Sequence, residues 1–209
     1  MNNKEKDLLN HQIIRWFFLD FFRWLFYHKN MRVISGKYRG KKLKEFELST
    51  TKPTLDRVKE SIFNLIQFEI MDAVVLDLFS GTGALGIEAI SRGAKNTFLV
   101  DSNNEAIKII KENLKGVDTN YQVINKDYVN FLNSIKTKFD IVLLDPPYKT
   151  DYGIKAIELL LKNNLLSNNA IIIFETSEEL EFNFSYPQFK VTKKKYGTVA
   201  VYKLEKNDE

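Results

Sequence analysis

From residue 73 onward the chain alternates short, nearly unbroken apolar runs with stretches in which apolar residues recur every three or four positions. The unbroken runs suit strands buried on both faces, and the periodic stretches suit helices that lay one face over them. The runs are AVVLDLF (73–79), TFLVD (97–101), YQVIN (121–125), FDIVLLD (139–145) and AIIIFE (170–175), and the periodic stretches cover 84–92, 104–114, 129–135 and 152–162. This alternation predicts an α/β, Rossmann-like fold with a mostly parallel sheet and helices on both faces. Near the carboxyl terminus FKVTKKKY, Gly197 and TVAVYKL follow one another with no helix between, so an antiparallel strand pair is expected to complete seven strands. Upstream, Arg32 to Leu48 reads as a β-hairpin or short strands with turns at Gly36 and Gly40, and Thr54 to Glu69 as a helix behind Pro53.

Residues 1–30 stand apart from this plan. IIRWFFLDFFRWLFY is the most aromatic stretch of the chain, yet Asp20 and Arg23 interrupt it, and its apolar run is shorter than the ~20 residues a membrane span needs. It lacks the small-residue cleavage site of a signal peptide. Two readings are open: an amphipathic helix for a membrane surface or partner, or an extension ahead of a natural start at Met31. The second is preferred, because the plan from Met31 is complete without it. The expected organisation is thus an atypical extension (1–30), a basic hairpin and helix (31–70), and a main α/β domain (71–205).

Composition narrows the chemistry. In 209 residues there is no cysteine, and both histidines, His11 and His28, lie in the extension. Thiolate chemistry is excluded, as is a histidine triad or metal site in the main body, so carboxylates, hydroxyls, amines and backbone must do the work. No metal is expected. The net charge is only +4, but Arg32 to Lys59 holds nine basic residues against three acidic ones. Such a run is either a solvated face or a surface for nucleic acid phosphates. The candidate RNA contacts are Arg32, Lys37, Arg39, Lys41, Lys42 and Arg57.

Carboxylates collect where an open α/β sheet binds ligands, at the carboxyl ends of its strands. Asp77 lies in the first run, Asp101 ends the second, Asp127 just follows the third and Asp145 ends the fourth. Buried strand ends rarely gather four such groups for packing alone. DLFSGTGALG (77–86) also satisfies G-x-G-x-x-G through Gly81, Gly83 and Gly86, a pattern shared with dinucleotide-binding loops. Asp77 argues against a pyrophosphate there, since like charges repel. A ligand with both a carboxylate and an ammonium fits better, and the amino acid tail of S-adenosylmethionine is one. Asp101 is placed for ribose hydroxyls, while Asp127 suits either an adenine amine or a helix cap.

DPPY (145–148) supplies the reacting end. Each proline fixes its own φ and restricts the residue before it, so Asp145-Pro146-Pro147 is a stiff turn leaving the strand. Asp145 and the Pro146 carbonyl can together hold the two N–H bonds of a base's exocyclic amine, and Tyr148 offers a ring on which the base can stack.

The glycine loop together with DPPY resembles class I S-adenosylmethionine-dependent methyltransferases that act on exocyclic amines. More narrowly, MRVISGKYRGKKL, KPTLDRVKESIFNLI, DLFSGTGALGIEAISRGA and LLDPPY, in this order, are similar to the RsmD family of 16S rRNA (guanine-N2)-methyltransferases. The resemblance spans Met31 to Leu204, and the aromatic extension departs from it. It implies that S-adenosylmethionine donates a methyl group to one guanine N2 of small-subunit rRNA, presented on the 30S particle or an assembly intermediate. By position it implies Asp145, Pro146, Pro147 and Tyr148 for the guanine and Asp77, Gly81 and Gly83 for the methionine moiety, with Phe79 also on the cofactor. Asp101 would serve the ribose and Asp127 the adenine. Thr54 and Arg57 would lie near cofactor or RNA. A cytoplasmic enzyme acting as a monomer, with no membrane span, is expected. The rival readings are a DNA adenine-N6 methyltransferase, and more distantly an NAD-dependent oxidoreductase or a nucleotide-binding module.

Overall fold

Strand side chains point alternately to opposite faces, so an unbroken apolar run needs a cover on both sides. The computed structural model, which describes residues 31–46, 54–147, 150–177 and 186–207, provides both covers around one seven-stranded sheet. In chain order the elements are α1 (Thr54–Leu65), β1 (Val74–Leu78), α2 (Ala84–Ser91), β2 (Asn96–Asp101), α3 (Asn104–Asn113) and β3 (Tyr121–Asn125). Then follow α4 (Tyr128–Ser134), β4 (Phe139–Leu144), α5 (Tyr152–Lys162), β5 (Leu166–Ser177), β6 (Phe189–Tyr196) and β7 (Val199–Lys206).

The spatial order is β3-β2-β1-β4-β5-β7-β6. Strands β1 to β5 pair in parallel, while β7 runs antiparallel to both β5 and β6. On one face Val75, Ile141, Leu143, Ile173 and Val201 are packed with Val58, Ile62 and Phe63 of α1, and Leu99 with Ile87 and Ile90 of α2 and Ile107 and Ile110 of α3. On the other, Leu76, Leu78, Val142, Leu144 and Phe174 are packed with Phe131 and Leu132 of α4 and Ala156, Ile157 and Leu160 of α5. The chain steps outward from β1 to β3, then returns to place β4 beside β1. The resulting switch point opens a crevice between their carboxyl ends.

The amino-terminal segment keeps its expected turns at Gly36 and Gly40 but pairs more briefly than a full hairpin. The hairpin of 32–48 is reduced, among the described residues, to a single antiparallel bridge between Arg32 and Lys42. Its arms keep three backbone bonds, Val33 N–H to the Lys41 carbonyl, Gly40 N–H to the Val33 carbonyl and Leu43 N–H to the Met31 carbonyl at 2.9, 2.9 and 2.8 Å, and other donors bond to the body. Ile34 and Ser35 N–H donate to the two carboxylate oxygens of Glu88 at 2.7 and 3.0 Å, Lys37 N–H to the Ser91 carbonyl at 2.7 Å, and Lys44 N–H to Asn113 Oδ1 at 2.6 Å. Val33 and Leu43 sink into the same cluster as α2 and α3. Gly36 is required here, because a Cβ would lie 1.8 Å from the Ser91 carbonyl oxygen. Residues of this segment are therefore held as a lobe of the α2–α3 face. Glu88 is fully buried and also bonds Arg92 Nε at 2.8 Å, with Lys59 Nζ 3.8 Å away.

Two boundaries also shift. Helix α1 ends at Leu65 rather than continuing to Glu69, since the chain must turn back into β1, with Asp72 at φ 60°. Strand β5 begins at Leu166 rather than at 170, and a register shift against β4 takes up the extra residues. Among the described residues no helix is long and apolar enough to cross a membrane.

Candidate active site

A cavity of about 740 Å³ opens at the carboxyl ends of β1 to β4, lined by Phe79, Gly81, Asp101, Asp127, Asp145, Pro146 and Pro147 among others. Such a volume suits a small-molecule site, typically about 300–1,000 Å³. The sharp exit from β1 shapes its floor. Phe79 adopts φ 71°, a left-handed conformation costly for a non-glycine residue, and is held there as its own N–H and that of Ser80 both donate to the Val100 carbonyl at 3.1 and 3.0 Å. This bend sets the Phe79 ring in the cavity wall.

The loop that follows uses its glycines for separate purposes. Gly81 has φ +54° and open space where a Cβ would stand, so the cavity comes right up to the backbone. Gly86 instead lets α2 approach β1, since a Cβ there would lie 2.9 Å from Asp77 Oδ2. Gly83 forms the amino-terminal cap of α2 and packs toward Leu99 and Ile110 rather than into the cavity.

Asp77 is not in the cavity wall. It lies buried beneath the loop, 1% exposed, and its Oδ2 accepts the Gly86 N–H at 2.8 Å. The sequence suggests Asp77, or water that it orients, for a ligand's ammonium; at this depth its Oδ2 makes a structural bond to the first turn of α2. Burial pushes its carboxyl up to about 7, an effect opposed by the Gly86 N–H and reinforced by the nearby charge of Asp101.

Asp101 and Asp127 face the cavity with backbone donors already on them. Asp101 accepts the Gly81 N–H on Oδ2 at 2.9 Å and the Asn103 N–H on Oδ1 at 2.8 Å. Each oxygen keeps a further lone pair, so one carboxylate orders the glycine loop and still offers acceptors to a diol. Asp127 caps α4, its Oδ1 accepting from Val129 and Asn130 at 3.0 and 3.2 Å. Among the described residues no donor meets its Oδ2. Capping and ligand binding, posed by the sequence as alternatives, are compatible in this geometry.

Asp145 leaves β4 with part of its surface on the cavity and the rest enclosed by protein. Its carboxyl is raised well above the usual carboxylate range, first by loss of water and then by the charges of Glu175 and Asp77. The sequence reading passed over Glu175. Leu144 pairs with Phe174, so Glu175 stands beside Asp145 across adjacent parallel strands, and it is only 5% exposed. Its signal was available: a carboxylate ending an apolar run, as at 101 and 145.

Two aromatic residues were also missed. The rings of Phe79 and Tyr128 lie 5.2 Å apart, Tyr128 and Tyr152 5.4 Å, and Phe79 and Tyr152 6.4 Å at an interplanar angle of 16°. Together they form an aromatic wall on the cavity, with Phe79 and Tyr152 nearly parallel and Tyr128 tilted 51° and 36° to them, of the kind that accepts the face of a base. Tyr148 lies outside the described residues, as does the side chain of Thr54.

The basic candidates divide. Arg32, Arg39, Lys42 and Arg57 are exposed. Lys37 is exposed but paired with Asp118 at 2.7 Å, and Lys41 donates to the Lys115 carbonyl at 2.6 Å. These two also tie the amino-terminal segment to the loop between α3 and β3.

Known proteins share this architecture. Residues 31–205 match the family model described as Conserved hypothetical protein 95. The chain is 34% identical over 182 residues to Ribosomal RNA small subunit methyltransferase D of Haemophilus influenzae, covering 85% of this chain and 94% of that protein. It is 38% identical over 181 residues to Putative rRNA methyltransferase YlbH of Bacillus subtilis, covering 83% and 98%. A solved structure described as putative methyltransferase yhhF from Escherichia coli superposes with a TM-score of 0.78 at 31% identity, covering 86% of this chain and 99% of that one.

Proposed function

We propose, since the chain belongs to the Conserved hypothetical protein 95 family, known also as the RsmD family, that it methylates the exocyclic N2 amine of one guanine in small-subunit rRNA. The methyl donor is S-adenosylmethionine and the substrate is the 30S particle or an assembly intermediate. The reading includes action as a monomer in the cytoplasm. The observation that carries it is the shared cavity: Gly81, Asp101 and Asp127 line one side and Asp145, Pro146 and Pro147 the other.

The residues fit the donor. The space above Gly81, the hydroxyl acceptors on Asp101 and the uncommitted Oδ2 of Asp127 match an amino acid tail, a ribose and an adenine amine. When bound, S-adenosylmethionine would supply an electrophilic methyl group on a sulfonium and, as its S–C bond broke, would leave as the neutral thioether S-adenosylhomocysteine. The chain's own residues do the rest. An exocyclic amine is a weak nucleophile because its lone pair is drawn into the ring. Asp145 and the Pro146 carbonyl hold its N–H bonds and aim the nitrogen, a gain in orientation that needs no covalent enzyme intermediate. As the new N–C bond forms, the nitrogen acquires positive charge and Asp145 takes up the proton it sheds. The wall of Phe79, Tyr128 and Tyr152 offers faces for flat rings.

The test is to incubate the protein with labelled S-adenosylmethionine and small subunits lacking methylation, with duplex DNA as a parallel substrate, and to map the label. Label on a single guanine N2 of 16S rRNA is the expected result. Label on adenine of the DNA, or none on RNA, overturns the reading.

A further inference from the structure

Strand β6 carries Lys190, Lys193, Lys194 and Lys195 and no acidic residue, on the outer edge of the sheet. Its direction matters. Because β7 is antiparallel to both neighbours, β6 runs the same way as β4 and β5, and its last residues lie at the end of the sheet that holds Asp145. Lys194 pairs with Val201, Val201 pairs with Glu175, and Glu175 stands beside Asp145. Asp145, Glu175, Val201 and Lys194 point to one face, the side of Leu143 and Ile173, while Lys193, paired with Tyr202, points to the other, so the two lysines bracket the edge. At about 4.8 Å per strand, the Lys194 backbone is therefore about 14 Å from that of Asp145, a span that RNA bridges in a few nucleotides.

The charges here are available. Lys193 and Lys194 are exposed, and among the described residues neither pairs with a carboxylate. Lys193 sets its ammonium over the Tyr202 ring, 5.2 Å from the centroid, a contact that holds the exposed side chain at the sheet edge. Lys203, on the neighbouring strand, shows the contrast: it lies near both Glu69 and Glu205, at 3.6 and 3.0 Å.

We propose that Lys193 and Lys194 form a phosphate-binding edge for the substrate RNA, gripping the backbone beside the guanine held at Asp145. The proposal rests on the RNA reading above. It adds a second electrostatic contact, at the β6 end of the sheet, to the one expected of the amino-terminal segment. The rival role for edge lysines is to block strand-to-strand association. Under that role position along β6 is immaterial, whereas phosphate binding favours the residues nearest Asp145.

The experiment compares wild type, Lys193→Gln/Lys194→Gln and Lys190→Gln for binding to an unmodified 16S rRNA transcript across a salt series. The double variant should flatten the slope of log K against log salt by about 1.4, near 0.7 per lost phosphate contact on single strands. Lys190→Gln, four residues away toward the far end, should leave it unchanged, and all three proteins should bind S-adenosylmethionine equally. An unchanged slope in the double variant overturns the proposal, as does equal flattening by Lys190→Gln. Wild type that transfers no methyl group to small subunits sinks the functional reading instead, while the slope comparison still decides whether this edge binds RNA.

Discussion

Asp101 and Asp127, at the ends of β2 and β3, open to the cavity and accept two backbone N–H groups each. Asp77, Asp145 and Glu175, in or just beyond β1, β4 and β5, crowd together instead, and the first two are raised first by burial, then Asp77 by the charge of Asp101 and Asp145 by the charges of Glu175 and Asp77. The same side chain thus has opposite uses on the two sides of the switch point. Acceptors ordered by backbone donors recognise a ligand's hydroxyls and amines. Carboxylates deprived of water hold protons more firmly, which suits a group that must take one during a reaction. Under the proposed function, binding falls to the β2–β3 side and chemistry to the β4–β5 side.

Removing Asp145 should break this division most visibly. Asp145→Ala is expected to cut turnover on the order of 10²–10³-fold, the scale seen when one group that stabilises developing charge is lost. Affinity for S-adenosylmethionine, read by calorimetry, should change only a few-fold. Comparable losses in both would show that the two sides are not separate.

Asp101→Asn should give the converse. It removes charge and one acceptor from the ribose side, and hydrogen bonds to a charged group contribute about 1.5–3 kcal/mol, or roughly 10- to 100-fold in affinity. The dissociation constant for the cofactor should rise by that factor while turnover at saturating donor stays near wild type. A turnover defect that persists at saturation would move Asp101 into the chemical step.

Local pattern foretold the elements well and their long-range partners poorly. Strand β3 and helix α5 match their expected bounds, because burial on both faces and a regular apolar stripe are written into neighbouring residues. The hairpin expected at 32–48 forms in short form, Val33 and Leu43 N–H donating across it to Lys41 and Met31, while the donors of Ile34, Ser35 and Tyr38 go to Glu88 and Ser91, more than fifty residues away in sequence. Nothing local announces that bond, although a lone carboxylate on the apolar helix GIEAI hinted at a buried partner. Phe79, Tyr128 and Tyr152 are likewise joined only by strand order. The carboxylates at 101, 127 and 145 were legible because strand ends are predictable and ligands collect there, while depth was not: Asp77 could be placed at the right end of the sheet but not on the right side of the loop.

That depth gives Asp77 a signature in stability rather than in binding. Its folded pKa of about 7 lies above its unfolded value of 3.8, so the folded state keeps the proton longer. Stability from this group is complete below about pH 4 and is lost as pH rises through about 7, where the buried carboxyl ionises without water. Asp77→Asn retains an oxygen for the Gly86 N–H but cannot ionise, so the fall in melting temperature between pH 4 and 7 should be shallower than in wild type. Because Gly86 opens the helix beside the loop, the fit of the α2 start should survive the change, and cofactor affinity should move less than in Asp101→Asn. If the two melting curves ran parallel across that range, Asp77 would not be carrying a buried proton, and the contrast between the two sides of the switch point would rest on Asp145 and Glu175 alone.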